Sequence, residues 1–396
     1  MRILLVVVYY LPSTMSSAKL IHDLAVEFHR QGHQAAVIAP DESISSDCEV
    51  SIEDNVEVVR VRSGTIKSAP RALRAVNEAR LSGVLWKKAR KYLEDRKFDL
   101  IVYYSPTIFF GSFVNRARSL YNCRSYLILR DIFPKWALDA GVLKDGVVYR
   151  YFCRKEMEQY RAADVIGVQS PENLRYFRES ERLSPFRSEV LYNWTTLNEE
   201  NVPVSHYREK LGLEGKLVFF YGGNIGVAQD MDNILRLAES LRDHTEAFFL
   251  LVGEGSEAGR LRQAISDRGL ANMLILDAVG QEEYLAMLSE FDIGLISLDR
   301  KLKTHNFPGK MLGYMYHSMP ILASINPEND LKDIIERNKA GLVSVNGEDD
   351  ILLSNAVRLL GDRELRRQMG LNARMLLEDQ FSVEGAARQI LSHFQG

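Results

Sequence analysis

Short apolar runs rich in β-branched residues recur along the first half of the chain, at 3–8, 34–38, 56–61, 100–104, 125–129, 165–168 and 189–192. They show little polar alternation, which predicts strands buried on both faces of a parallel sheet. Helical spacing separates them. Leu20, Leu24 and Phe28, with Ile21 and Ala25, share one face of a first helix that Gly32 ends. The pattern breaks over 193–207. A second series follows at 217–221, 248–252, 273–276, 293–297, 321–323 and 341–345. The alternation predicts an α/β protein made of two Rossmann-like, doubly wound, parallel-sheet domains. The expected division is 1–200 and 201–380, with a last helix over 381–396. No low-complexity segment, heptad run or internal repeat interrupts it.

A chain of 396 residues suits two domains of ordinary size, and a hydrophobic fraction of 46% supports a core in each. Charge is nearly balanced, with 50 basic against 53 acidic residues. That balance disfavours a nucleic-acid binder. The segment 58–97 departs from it, with 12 Lys/Arg against 3 acids and Trp86 interleaved. It reads as a helix for an anionic membrane surface. The apolar start is short and stopped by Pro12, so a buried strand is expected there rather than a leader. No run reaches the ~18 apolar residues of a membrane span. Cys48, Cys123 and Cys153 are odd in number and far apart, which suits a reducing compartment.

Ligands of open parallel sheets bind beyond the carboxyl ends of the strands, and several segments there carry chemistry. The run from Lys301 to Lys310 is rich in Lys and His and leads through Phe307-Pro308-Gly309 into a helical pattern. Backbone N–H groups, a helix dipole and Lys301, Lys303, His305 and Lys310 together predict a phosphate or diphosphate site. Gly222, Gly223 and Gly226, with Asn224, follow one strand and allow a backbone to approach a ligand closely. Val252-Gly253-Glu254-Gly255 follows another. Its spacing misses the dinucleotide fingerprint by one residue, although Asp277 lies at a suitable distance. Glu254 suits a ribose or base contact. Asp230 and Asp232 match a D-x-D metal pattern, but their place at a helix start favours capping. Asp131 follows the strand 125–129 and is a candidate base or acceptor contact; pairing with Arg130 or Lys135 is the plain alternative. Ser16 and Ser17 follow the first strand and precede its helix.

These residues resemble the glycosyltransferases of GT-B fold, family 4. The resemblance rests on Leu24-Ala25 with Gly32-His33, on the glycine loops at 222–226 and 252–255, and on the run from Pro308 to Met315 followed by Met319-Pro320-Ile321. Phe381-Ser382 resembles the start of the family's last helix, which crosses back to the first domain. The Lys303-Thr304-His305-Asn306-Phe307-Pro308-Gly309-Lys310 run is similar to the N-acetyl-L-fucosamine transferases of O-antigen and capsule synthesis. Departures are informative. The family's two glutamates fall on His305 and Gly313, its paired glycines on Met15 and Ser16, its Arg on Asn224 and its Lys on Gln229. The resemblance then implies a donor other than glucose or mannose and leaves the stereochemical outcome open.

What the resemblance implies is a metal-independent, UDP-sugar-dependent hexosyltransferase without a cofactor, its two domains facing each other across a cleft. It would move a 6-deoxy-N-acetylhexosamine to a polyprenyl-diphosphate-linked saccharide at the inner face of the cytoplasmic membrane. Uracil is expected near Val279 and Gln281, diphosphate at Gly223, Asn224 and from Phe307 to Lys310, and sugar near His305 and Asn306. The acceptor is expected near Ser16, Ser17, Ser105 and Asp131, and Asp131, His305 and Lys310 are the candidate catalytic residues. A UDP-sugar epimerase, which needs no acceptor, and a non-catalytic sugar-nucleotide-binding scaffold are the alternatives.

Overall fold

The computed structural model describes residues 1–13, 15–64, 71–139, 143–197, 206–302 and 307–394. Two compact units emerge, one of Met1–Thr196 with Val383–Gly396 and the other of Leu197–Ser382.

The first unit runs β1 (Arg2–Val6), α1 (Ser16–Arg30), β2 (Gln34–Asp41), β3 (Cys48–Glu53), β4 (Val56–Arg62), α2 (Arg71–Lys88), α3 (Arg90–Glu94), β5 (Leu100–Tyr104), α4 (Gly111–Tyr121), β6 (Arg124–Leu129), α5 (Lys135–Asp139), α6 (Val147–Arg161), β7 (Val165–Val168), α7 (Pro171–Glu179) and β8 (Ser188–Val190). Its eight-stranded sheet has the order β3-β4-β2-β1-β5-β6-β7-β8. Each apolar run named above is a strand. The central ones are buried from their second residue onward, so water never selects an alternating pattern in them.

One strand departs from the expected parallel sheet. β3 pairs antiparallel with β4 at the edge. Asp54 and Asn55 join them with φ of 48° and 64°, the left-handed conformation of a two-residue hairpin turn. Val50 and Ile52 lie on its exposed side, so its apolar positions alternate with polar ones.

The second unit runs α8 (Tyr207–Lys210), β9 (Leu217–Gly222), α9 (Met231–Ser240), β10 (Ala247–Val252), α10 (Ala258–Arg268), β11 (Met273–Leu276), α11 (Gln281–Leu288), β12 (Ile293–Ser297), α12 (Lys310–Tyr316), β13 (Ile321–Ile325), α13 (Asp330–Arg337), β14 (Gly341–Val345), α14 (Asp349–Gly361) and α15 (Arg363–Gln380). Its six strands are all parallel, in the order β11-β10-β9-β12-β13-β14. The order grows outward from β9 in one direction and from β12 in the other. Connections therefore part to opposite sides between β9 and β12, and a crevice opens at their carboxyl ends.

The last helix, α16 (Val383–Ser392), is part of the first unit. Its Val383, Ala387 and Ile390 share a core cluster with Ile21, Leu24 and Phe28 of α1. Burying each large aliphatic or aromatic side chain there contributes roughly 1.5–3 kcal/mol.

The basic segment is less free than its composition suggests. Leu81 and Leu85 of α2 are buried, and Trp86 packs edge-on against Phe113 with Arg116 over its ring. Lys88 pairs with Asp47 and Arg90 with Glu94. Trp86 is thus a core contact rather than a free anchor, and Lys88 and Arg90 already hold carboxylates. No helix among the described residues is long and apolar enough to cross a membrane.

Candidate functional site

In the second unit a cavity of about 620 Å³ lies at the carboxyl ends of β9, β10 and β11. Its floor is Gly222 and Gly223 after β9, and Val252, Gly253 and Glu254 at the end of β10. Ala278 and Val279 after β11 and Tyr284 of α11 close one side. Gly309 and Lys310 close the other. This volume is ordinary for a small-molecule site.

Two glycines are required by the geometry. Gly223 has φ of +123°, a conformation that side chains rarely adopt. A Cβ on Gly253 would collide with the backbone oxygen of Gly223, so the β9 and β10 loops touch only because that side chain is missing. The loops are also tied together. Gly223 N–H donates to Val252 O at 2.9 Å and Ile225 N–H to Glu254 O at 2.8 Å. Gly223 is therefore a spacer whose own N–H is taken. The N–H groups of Asn224 and Glu254 have no partner among the described residues.

Lys310 supplies the charge. Its Nζ lies 3.4 Å from the ring centroid of Tyr221, a side chain with no solvent exposure. No carboxylate pairs with it among the described residues, and burial alone holds its ammonium well below the usual lysine range. Tyr221 OH donates to Asn224 O at 2.6 Å, which fixes the ring under the ammonium. Cation–π contact offsets only part of the desolvation, about 0.5–2 kcal/mol. A cation so placed favours an anionic ligand. Two acids of the same unit are held elsewhere: Asp277 pairs with Arg262 at the surface, and Asp232 pairs with Arg260.

Other expected residues take different places. Asn224 lines the cavity, but its amide donates to Gln229 Oε1 at 2.9 Å. Gly226 donates to the same oxygen and does not line the cavity. Glu254 stands exposed at the rim. Phe307 is packed edge-on against Phe381, away from the cavity lining. Lys303, His305 and Asn306 lie outside the described residues, as does the Gln281 side chain. The helix begins at Lys310 rather than Pro308 and has only 7 residues, so its dipole adds little beside the ammonium. A Cβ on Gly309 would meet nothing within 4 Å, so its glycine is not forced by packing.

Asp230 does not cap α9. Its left-handed φ of 42° leaves the cap bond unmade, and its carboxylate accepts from Asn346 at 2.9 Å instead. Among the described residues no cluster of three or more His, Cys, Asp or Glu is placed to hold a metal ion.

In the first unit, Ser17, Ser105 and Asp131 follow β1, β5 and β6, neighbours in the sheet, at the same edge. Ser105 is fully buried, and its Oγ has no partner among the described residues. Asp131 is solvent-exposed on one side and crowded on the others, and the partial desolvation raises its carboxyl. It makes no ion pair with Arg130, whose guanidinium donates to the carbonyls of Leu191 and Tyr192. The Ser16 side chain lies outside the described residues. A separate cavity of about 290 Å³ is lined by Tyr10, Ser13, Asp41 and Arg60.

Sequence reasoning missed Tyr221 and Tyr284 in the second unit. Tyr221 carried one signal, an aromatic residue directly before a glycine pair at a strand end.

Two parallel-sheet units with a crevice at the β9/β12 switch define the GT-B class. The family of glycosyl transferases group 1 matches residues 204–375, and the glycosyl transferase 4-like domain matches 17–194. The chain therefore carries both domains, the 4-like domain first. It is 26% identical over 223 residues to the probable glycosyltransferase WbjE of Pseudomonas aeruginosa, covering 54% of each chain. It is 29% identical over 124 residues to WcaI of Escherichia coli (strain K12), covering 30% of each; that protein's name places it in colanic acid biosynthesis as a glycosyl transferase. The chain thus spans about half the length or less of these curated relatives. The solved structure of Anabaena Alr3699/HepE in complex with UDP is similar over 99% of both chains, with a TM-score of 0.65 at 16% identity, which speaks to the fold.

Proposed function

We propose that the chain is a glycosyltransferase that binds a UDP-sugar in the cavity of its second unit. The observation that carries this reading is the ammonium of Lys310, half-buried against Tyr221 with no carboxylate partner among the described residues. A diphosphate supplies the missing anion, and the open N–H groups of Asn224 and Glu254 add donors to its oxygens. Val279 and Tyr284 offer an apolar wall for a uracil ring, and Glu254 at the rim suits a ribose hydroxyl. The UDP complex of the similar Anabaena structure supports this choice of nucleotide.

Negative charge builds on the departing diphosphate as the glycosidic bond breaks, and a fixed cation favours that state over the ground state. The hydrogen-bonded Asn224–Gln229 pair is neutral where the family it resembles has cations, which leaves Lys310 with most of that task. We assign the acceptor to the first unit, at the edge shared by Ser105 and Asp131. The sugar is a 6-deoxy-N-acetylhexosamine, N-acetyl-L-fucosamine being the first to test. The acceptor is a polyprenyl-diphosphate-linked saccharide at an anionic membrane surface, within polysaccharide or lipopolysaccharide synthesis. The relative named for colanic acid biosynthesis supports that setting.

Calorimetry with UDP, followed by a donor screen on lipid-linked acceptors read by mass spectrometry, tests the proposal. UDP binding and a mass gain of one sugar on the acceptor are expected. An altered sugar nucleotide without acceptor would instead identify an epimerase, and binding with no turnover a scaffold.

A further inference from the structure

The amino-terminal half of α6 presents an apolar surface to solvent. Val147 is 84% exposed, Val148 58% and Tyr151 42%. Val147 and Tyr151 are one helical turn apart, so their side chains stand side by side. Lys144, Arg150 and Arg154 are exposed around them and have no acidic partner among the described residues, while Asp145 is the one exposed acid in the stretch from Lys144 to Arg154. The first turn of the helix holds no acid.

The patch is continuous with the candidate acceptor edge. Tyr151 touches Phe152 and Phe109, with ring centroids 5.7 Å and 6.5 Å away. Phe152 in turn meets Phe133 at 5.1 Å, two residues beyond Asp131. An aromatic seam therefore runs from the exposed face of α6 to the loop that follows β6.

We propose that this face of α6 is the surface by which the protein sits on an anionic lipid leaflet, with Val147, Val148 and Tyr151 in the interface and Lys144, Arg150 and Arg154 among the headgroups. Apolar side chains ringed by cations match the acyl boundary and its charged surface. A tyrosine, apolar in its ring and polar at its tip, suits that depth. A second copy of the chain fits less well. A twofold contact through this patch would set three unpaired cations against the same three. The inference moves the membrane contact from α2, where Trp86, Lys88 and Arg90 are engaged, to α6. It does not require the transferase reading to hold.

Co-sedimentation of the full chain with vesicles of neutral and anionic phospholipid, without sugar nucleotide or acceptor, tests it. The native protein is expected to bind anionic vesicles. The exposed triple variant Val147→Ser/Val148→Ser/Tyr151→Ser should lose at least about tenfold in affinity at both low and high salt. Arg150→Gln/Arg154→Gln should lose affinity at low salt chiefly, because screening already weakens the charge contribution at high salt. Both variants should still melt cooperatively and bind UDP with native affinity, which shows that they are folded. No vesicle binding by the native chain would overturn the proposal. So would a triple variant that binds vesicles as the native chain does, including one that changes only the oligomeric state. A native chain that binds vesicles but transfers no sugar would count against the transferase reading alone.

Discussion

The Lys310 ammonium and the Tyr221 ring, 3.4 Å from Nζ to centroid, form a cation site without an anion among the described residues. Such a contact costs stability while the site is empty and favours a ligand that brings negative charge. Lys310→Met keeps the stem and removes the charge. We expect this variant to be more stable than the native protein at neutral pH, by on the order of 1 kcal/mol. Its affinity for UDP should fall about 10- to 150-fold, the worth of a charged phosphate contact of roughly 1.5–3 kcal/mol. The pH dependence has a definite sign. Burial lowers the folded-state pKa of Lys310, so between that value and the unfolded one the unfolded chain binds more protons. Native stability should therefore rise with pH across that window, relative to the variant, while UDP affinity falls as the ammonium is lost. Denaturant melts and calorimetry across pH measure both. A destabilised variant with native UDP affinity would contradict the assignment.

His317, at the end of α12, gives a second pH response. Burial, with Arg374 nearby, lowers its pKa to about 4, and its buried Nε2 has no partner among the described residues. A histidine held neutral in the fold contributes stability that is present above its unfolded pKa of roughly 6.5. That contribution is lost as pH falls from there toward 4, because the unfolded chain takes up the proton first. Urea midpoints at pH 7 and pH 5 should differ more for the native protein than for His317→Leu. Equal pH slopes would show that His317 is not the group responsible.

Most strands were legible because buried parallel strands are continuous apolar runs, and 165–168 or 321–323 need no context to be read. β3 escaped because Val50 and Ile52 alternate with polar residues on an exposed edge, and the Asp54-Asn55 turn was the signal that could have found it. The cavity floor was legible in part, since glycines directly after strands, as at Gly223 and Gly253, mark places where backbones meet. Tyr221 reads in sequence as one more buried strand residue. Tyr284 reaches the cavity only through the strand order β11-β10-β9-β12, which no local pattern encodes. The isolation of Lys310 also depends on tertiary placement, because no carboxylate among the described residues pairs with it although the chain is rich in acids. Counting cations near Lys310 could not reveal that.

UDP binding should survive metal chelation. Two carboxylates near the β9 loop fit a metal pattern in sequence, but Asn346 holds Asp230 and Arg260 holds Asp232. Freeing them would forfeit those contacts before any ion was bound. Calorimetry of UDP in EDTA and in Mn²⁺ should give affinities within about twofold of each other. A loss of affinity in EDTA that Mn²⁺ restores would assign the pair to a metal, and Asp230→Ala would then abolish the restoration.

Asp131 is the sharpest test of the acceptor assignment. Its carboxylate follows β6, makes no hydrogen bond or ion pair among the described residues, and is raised by partial desolvation. An unpaired carboxylate of that kind is available to take a proton from an attacking hydroxyl once an acceptor is in reach. Asp131→Asn retains the shape and removes the basic oxygen. Transfer should fall by about 10²- to 10⁴-fold, the usual contribution of a positioned base. UDP affinity should not change, because Asp131 belongs to the first unit and the nucleotide cavity to the second. The native rate should also climb with pH through the raised carboxyl pKa, since the deprotonated form is the active one. In the variant that limb of the profile should vanish. An unchanged profile with a modest loss in acceptor KM would leave Asp131 as a binding contact. Native rates in the variant would remove it from the site.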